Sequence, residues 1–278
     1  MTLIEILVVL GIIALLTGLL VPTLTVVKNT AKEAKQNAQF NAIDLAMVTF
    51  KNDYGDYPPS SYDSGDDYCG AQKLAEALLG LDLLGFHPQS DFNADGYTDE
   101  GVFVYDTGNQ LYLDQRKGPY LESDTANAFR LLDIQDVSGT GLYSYMSSTL
   151  LSGNYVLCDV FAKKEVIIPT EMSGNNIVSS KKIKAGSPIL YYKANTSLKI
   201  IDEIYEAVDN ITLLELVDMM DGIYQPLAND DVFYDSITDP KTSLSAIPRP
   251  YNADSYILIS AGLDGIYGTP DDIRNFGN

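Results

Sequence analysis

An acidic segment, DFNADGYTDEG at residues 91–101, carries oxygen-bearing side chains at the spacing of an EF-hand-like calcium loop. The side chains at positions 1, 3 and 5 of that pattern are Asp91, Asn93 and Asp95, with a glycine at position 6. Position 12, where an EF-hand has a bidentate Glu, is Val102, but Asp99 and Glu100 supply acids earlier. The spacing predicts a calcium site here, and a solvated acidic turn is the alternative.

The chain lacks the residue patterns that catalysis commonly uses. His87 is the only histidine, so a multi-histidine metal centre is excluded and a histidine-dependent triad would have to use this residue. The patterns G-x-S-x-G, H-E-x-x-H, G-x-G-x-x-G and the P-loop are absent. An anchored hydrolase could act through carboxylates, but no pair of acids stands out by its spacing. We predict that the chain is not an enzyme and that His87, beside Pro88, lies at the surface.

The charge is strongly acidic and unevenly distributed. The 278 residues include 18 Lys and Arg against 38 Asp and Glu, which gives a net charge of −20. All of this excess lies after residue 50, because the charges in residues 1–50 cancel. Such a field repels phosphate backbones and attracts divalent cations, so no nucleic-acid partner is expected. Cys69 and Cys158 permit at most one disulfide, and the sequence leaves their pairing open.

The N-terminus contains a long apolar run. Residues 6–27, ILVVLGIIALLTGLLVPTLTVV, carry no charge and are long enough to cross a bilayer as a helix. One carboxylate, Glu5, stands immediately before this run. A carboxylate in such surroundings is costly unless it is paired, although it could also reach the membrane interface.

The segment MTLIEILVVLGIIALLTGLLVP resembles the mature N-terminus of type IV pilins and of the pseudopilins of type II secretion. The family motif is an apolar first residue, then T-L-I-E, then an apolar helix with a proline at position 22. Met1 departs from the commoner Phe. The resemblance implies that a prepilin peptidase removes a short basic leader ending in Gly and that the amine of Met1 is open to N-methylation. It also implies insertion in the inner membrane and polymerisation by an inner-membrane assembly platform.

Glu5 and the stretch from Gly18 to Pro22 bear directly on assembly. In a filament of packed apolar helices Glu5 would be buried, and the amine of Met1 on a neighbouring subunit could neutralise it. Removing one partner of a buried ion pair costs roughly 3–5 kcal/mol. Pro22 cannot donate a hydrogen bond to the carbonyl of Gly18, so the helix is weak there. The resemblance implies that this stretch melts in the filament, and a simple kink is the alternative.

We predict one long helix over residues 1–52 that carries a globular head, residues 53–278. Its first half is apolar throughout, and its amphipathic second half should dock on the head. Gly55 and the following prolines end it. A stripe of small residues suited to close helix packing consists of Ala31, Ala34, Ala38 and Ala42.

The head is predicted to mix helices and strands. Further helices are predicted at residues 70–85, 124–135 and 202–220. Apolar, β-rich strand candidates are Val102–Tyr105, Tyr155–Phe161, Val166–Ile168, Ile189–Tyr192 and Tyr256–Ser260. A helix first and strands later, without βαβ alternation, predict an α+β fold with an antiparallel sheet.

The C-terminal segment YILISAGLDGIYGTPDDIRNF is similar to the calcium loop at the end of many major pseudopilins. The shared pattern is S-A-G-x-D-G-x-x-G-T-x-D-D-I, and the acids at its positions are Asp264, Asp271 and Asp272. Calcium takes hard oxygen ligands, typically six to eight of them at about 2.3–2.6 Å. The resemblance implies a calcium ion here, and an acidic, glycine-rich turn without an ion is the alternative.

These features favour a structural subunit that polymerises through its apolar helix into an extracellular type IV pilus-like filament with calcium-stabilised heads. The chain would lie in the inner membrane before assembly and at the cell surface afterwards. One alternative is the major pseudopilin of a type II secretion system, in a periplasmic pseudopilus. The calcium loop favours that lineage, whereas the large head argues against it. Another alternative is a membrane-anchored calcium-binding or adhesive head that never polymerises.

Overall fold

The computed structural model describes residues 2–62, 68–135, 153–162, 164–173, 176–215, 222–242 and 247–277. A long N-terminal helix is followed by short helices and small antiparallel sheets. The predicted α+β fold class is confirmed.

Helix α1 spans Leu3–Tyr54 and is about 78 Å long at 1.5 Å per residue. It is continuous through Gly18 and Pro22 in this single chain. It ends at Gly55, whose φ of 88° is left-handed and whose N–H donates to the carbonyl of Lys51. The residues that α1 buries against the head lie on one stripe: Gln36, Gln39, Phe40, Ile43, Ala46, Met47 and Phe50.

Two buried glutamines fix the second half of α1 to the head. The amide nitrogen Nε2 of Gln39 donates to the carbonyls of Ala126 and Cys158, both at 2.9 Å. The side-chain oxygen of Gln36 accepts from the backbone N–H of Val160 at 3.0 Å. These bonds satisfy loop backbone groups that the helix would otherwise cover without a partner.

The head's helices are shorter than predicted. They are α2 (Gly70–Leu79), α3 (Gln110–Gln115), α4 (Ser123–Ala126), α5 (Ile201–Ile204) and α6 (Asp230–Ile237), with further helical residues at 211–215. Helix α2 begins where predicted but stops at Gly80 instead of residue 85, because Gly80 takes a positive φ of 84°.

The head's strands pair antiparallel in three groups among the described residues. Strand β1 (Ala128–Arg130) pairs with β3 (Tyr155–Leu157). Strands β2 (Ile134–Gln135), β4 (Lys164–Ser173) and β5 (Asn176–Ala185) form a sheet in that order. Strands β6 (Leu190–Lys193), β7 (Tyr256–Ser260) and β8 (Ile273–Arg274) form the third.

Four of the segments predicted as strands contain a strand in the structure. The predicted bounds of β7 are the observed ones, and those of β6 differ by one residue at each end. The prediction for β3 is too long, and the predicted strand Val166–Ile168 lies inside the longer β4. The strand predicted at Val102–Tyr105 is wrong, because only Phe103 forms a bridge, to Tyr97.

Two helix predictions in the head are wrong in whole or in part. In the segment 124–135, α4 ends at Ala126 because Asn127 takes a left-handed conformation with φ 54°. Strand β1, a short 3-10 turn at Leu131–Asp133 and strand β2 follow. The segment 202–220 is broken at Tyr205, whose backbone is extended and whose buried hydroxyl donates to the carbonyl of Asn252. Residues 216–220 lie outside the described residues.

Candidate functional site

The first half of α1 is exposed along its length. Among the described residues, this is the one helix long and apolar enough to cross a membrane, and its most apolar window has no buried residue. Such a helix could serve as a membrane anchor or as a signal. Met1 lies outside the described residues.

Glu5 sits at the start of α1 in a capping box with Thr2. The backbone N–H of Thr2 donates to the Glu5 carboxylate at 2.6 Å. The backbone N–H of Glu5 donates to the Thr2 hydroxyl at 3.3 Å. Both groups satisfy N–H donors that a helix start leaves without partners. In the single chain, Glu5 therefore stabilises the helix terminus.

The second half of α1 presents an outward stripe that faces away from the head. We define this outward stripe as Ala34, Ala38, Asn41, Leu45, Val48 and Asn52, all of them exposed. Leu45 is 70% exposed and Val48 is 47% exposed. At about 100° per residue, no charged residue lies within about 60° of Leu45 on this half of the helix. Two of the predicted small-residue positions therefore point outward.

The C-terminal acidic loop joins the paired strands β7 and β8, residues 261–272. Asp264 and Asp271 meet there, because the backbone N–H of Asp264 donates to the Asp271 carboxylate at 2.8 Å. The Thr269 hydroxyl donates to the other Asp271 oxygen at 2.5 Å. Gly262 has a φ of 62°, and a Cβ there would lie 2.1 Å from the carbonyl oxygen of Asp271. The loop backbone can close only because residue 262 is glycine.

Asp272 is held differently from the other two acids. Its side chain is 1% exposed, and burial raises its pKa to about 6. One carboxylate oxygen accepts from the backbone N–H of Gly268 at 2.9 Å and from Arg274 at 3.3 Å. The other oxygen, Oδ1, is buried without a hydrogen-bond partner among the described residues. An unpaired buried acceptor of this kind is a position at which a cation would be stabilised.

The acidic loop at residues 91–101 is closed by its own hydrogen bonds. The Asp91 carboxylate accepts from the backbone N–H of Asp99 at 2.8 Å, and that of Asp95 accepts from Tyr97 at 2.9 Å. Asn93 donates to the Tyr97 carbonyl at 2.9 Å. The acids of this loop are exposed. Within the part of the chain that the structure describes, neither acidic loop brings three Asp, Glu, His or Cys side chains together as a metal-holding group.

Comparisons with protein families, with curated proteins and with solved structures find no match. The functional assignment therefore depends on this chain's own residues.

The two cysteines are buried free thiols. Burial raises the pKa of Cys69 to about 12, so its reactive thiolate form is scarce at neutral pH. The backbone carbonyl of Cys158 helps to fix α1 to the head, because it accepts a hydrogen bond from Gln39.

The expectation of a surface position for His87 is wrong, because its ring packs edge-on against Tyr112 and is buried. Its Nδ1 accepts from the backbone N–H of Gln89 at 3.2 Å, which places the proton on Nε2, 3.2 Å from Gln115 Oε1. Burial lowers the pKa of His87, so the ring is neutral at pH 7.

The head also contains an acidic cleft that sequence reasoning missed. It is a cavity of about 390 Å³. The charged residues that line it are Asp56, Lys193, Glu203, Glu206, Asp209 and Asp254. Asp209 lines the cleft but is itself buried. Its carboxylate accepts from the Ser60 hydroxyl at 2.5 Å, and burial raises its pKa to about 6. The acids come from segments far apart in the chain, so no short sequence motif predicts the cleft.

Proposed function

We propose that this protein is a structural subunit that polymerises through α1 into an extracellular type IV pilus-like filament. The observation that carries the proposal is the outward stripe on the second half of α1. A surface helix of a globular protein normally places charged and polar residues on its outer face. Here, over residues 34–52, the outer face carries no charged residue, and it exposes the apolar side chains of Leu45 and Val48.

A membrane anchor alone explains only the first half of α1. A bilayer core about 30 Å thick is crossed by about 20 helical residues, a length that residues 6–27 supply. The outward stripe therefore lies beyond the membrane, where an anchored monomer would leave Leu45 and Val48 in water. In a polymer both halves of α1 are covered, by the same kind of close helix packing that small residues permit.

Glu5 and the head complete the proposal. On leaving the capping box for the filament interior, the Glu5 carboxylate would pair with the amine of Met1 on a neighbouring subunit. In the head, calcium would be held by oxygens of the C-terminal loop, where Asp264 and Asp271 already meet and Asp272 has an unpaired oxygen. Calcium at residues 91–101 has no comparable support and stays a prediction.

A pair of matched substitutions tests the proposal. Leu45→Lys places a charge on the outward stripe, whereas Leu111→Lys makes the same change on α3 at a residue of similar exposure, 61%. Filaments sheared from native cells would be counted by electron microscopy and probed for this chain. We expect Leu45→Lys to reduce filament yield at least tenfold and Leu111→Lys to change it less than twofold. Equal yields from the two variants, or wild-type filaments that lack this chain, would overturn the proposal.

A further inference from the structure

Strand β5 is a basic edge strand on an acidic protein. It is the outer strand of the sheet ordered β2–β4–β5 among the described strands. Its exposed lysines are Lys181, Lys182 and Lys184. In the register with β4, Lys184 lies opposite Glu165, whereas the other two lie opposite isoleucines. Strand β5 has a formal charge of +3 and its neighbour β4 a formal charge of −1, although the whole chain has a net charge of −20.

The acidic cleft is the complementary surface. Glu203, Glu206 and Asp254 are exposed at its rim. One cation, Lys193, also lines it and pairs with Asp56 at 2.6 Å. Four of the five cleft acids thus face the cavity without a lysine or arginine paired to them in the described ion pairs. A partner that docks there gains most from basic side chains.

The basic strand and the acidic cleft lie at different heights along α1. The loop that contains Asp159 and Val160 lies beside the end of β5. The backbone N–H of Val160 donates to Gln36, and the backbone N–H of Asp159 donates to the carbonyl of Ser187, two residues beyond β5. The cleft begins at Asp56, just past the end of α1. Ser187 lies six residues before Lys193, which lines the cleft, so at most about 21 Å separates this end of β5 from the cleft. A second copy shifted along α1 by a similar distance would bring its cleft to the level of β5.

The geometry points to a head-to-tail contact in which β5 of one subunit docks on the acidic cleft of a neighbouring copy. The contact joins two different surfaces, and a heterologous contact that does not close into a ring generates a helical filament. Charge attraction between these surfaces offsets part of the repulsion between strongly acidic heads. This inference rests on the proposed polymerisation and names the head surfaces that take part in it.

Charge reversal separates this role from simple protection of a sheet edge. Charged residues on an edge strand discourage pairing with other strands, and glutamate preserves that effect. Lys181→Glu with Lys184→Glu should therefore keep the edge protected but repel the cleft. The matched control is Lys241→Glu with Arg249→Glu, which changes two exposed cations elsewhere on the head.

The deciding variant reverses both surfaces of the full-length chain. Filament yield in native cells should fall at least tenfold for Lys181→Glu/Lys184→Glu and for Glu203→Lys/Glu206→Lys. Combining all four substitutions should restore filament yield to within twofold of wild type. The control variant, Lys241→Glu with Arg249→Glu, should also stay within twofold of wild type. Recovery also shows that each altered surface still folds.

The possible failures are distinguishable. Normal yield from the lysine variant, or no recovery in the combined variant, would overturn the contact while leaving polymerisation intact. Absence of this chain from wild-type filaments would instead reject the proposed function, and the inference with it.

Discussion

Glu5 and Thr2 cap the start of α1 through two reciprocal hydrogen bonds, at 2.6 Å and 3.3 Å. The residue that the pilin-like resemblance assigns to subunit pairing thus has a second, purely local role in the single chain. A capping box needs a side-chain acceptor at its fourth residue, and Gln serves there as well as Glu. Pairing with an amine needs the negative charge. The two roles therefore respond differently to substitution.

We predict that Glu5→Gln blocks filament formation as strongly as Glu5→Ala, because both remove the charge while only the second removes the cap. Filament yield from sheared native cells would be measured together with the amount of chain in the membrane fraction. A buried pair worth roughly 3–5 kcal/mol implies a loss of at least a hundredfold in the assembly equilibrium.

The control for Glu5 is Thr2→Ala, which removes the capping hydroxyl at a cost of about 1 kcal/mol but leaves the charge. It should assemble at close to the wild-type level. Normal filaments from Glu5→Gln, or equal losses from Thr2→Ala and Glu5→Ala, would assign Glu5 to the cap alone.

The sequence correctly predicted helix α1 and strand β7, because both are determined by short-range sequence patterns. The length of α1 follows from continuous helix-forming residues and a glycine terminator, and the bounds of β7 follow from an apolar, β-branched run. The errors occur where tertiary contacts override propensity. Tyr205 takes an extended backbone to bury its ring, and Asn127 leaves the helix to donate to the carbonyls of Cys158 and Asp159.

The candidate sites divide in the same way. Glu5 and the acids of both loops lie in short contiguous motifs, so the sequence alone could single them out. The outward stripe could be identified only from the structure, because only the packing of α1 shows which of its faces the head leaves uncovered. The acidic cleft could not be identified from the sequence either, since Asp56, Glu203 and Asp254 come together only through the fold.

We predict that Cys69 and Cys158 do not react with iodoacetamide in the folded protein at pH 8. Both thiols are buried, and a pKa of about 12 leaves Cys69 with about one thiolate in ten thousand molecules. Mass spectrometry of the full chain in detergent micelles should show no label before denaturation and two labels after it. A Ser197→Cys variant, at an exposed position, supplies the positive control. Label that enters only after a reductant is added would show a disulfide instead.

We predict that Asp209 makes the head more stable as the pH falls from 7 to 4. Burial raises its folded-state pKa to about 6 from the usual 3.8, so the folded state binds a proton more readily than the unfolded state. The neighbouring Glu206 also disfavours its ionised form, whereas Lys73 favours it. The difference between the folded and unfolded pKa values corresponds to about 3 kcal/mol of stabilisation of the folded state. This stabilisation is absent above pH 6–7 and fully present below about pH 4.

The test of Asp209 compares wild type with Asp209→Asn, which removes this titration. Chemical unfolding of full-length chain in micelles, followed by near-ultraviolet circular dichroism, would give the free energy of unfolding at each pH. The wild type should gain up to about 3 kcal/mol over the variant between pH 7 and pH 4. Asp231→Asn, at an exposed position in α6, should show no such gain. A difference that is independent of pH would refute the buried titration.

We predict that calcium raises the thermal unfolding temperature of the head through the C-terminal loop. A ligand at a hundred times its Kd stabilises the folded state by about 2.7 kcal/mol, which for a head of this size is roughly 5–10 °C. Asp271→Asn should abolish most of this increase, because Asp271 contacts both Asp264 and Thr269. Gly262→Ala should do the same by forcing the loop away from the Asp271 carbonyl.

Matched variants assign the calcium effect to one loop. Asp95→Asn alters the other acidic loop, and Asp231→Asn removes one carboxylate far from either, so that general charge effects can be subtracted. Each variant would be heated with calcium, with magnesium and with chelator, as full-length chain in micelles. A shift lost only in Asp271→Asn and Gly262→Ala locates the ion at residues 261–272. A shift lost only in Asp95→Asn locates the ion at residues 91–101 instead. Equal unfolding temperatures of the wild type in calcium and in chelator would show that calcium does not stabilise this head.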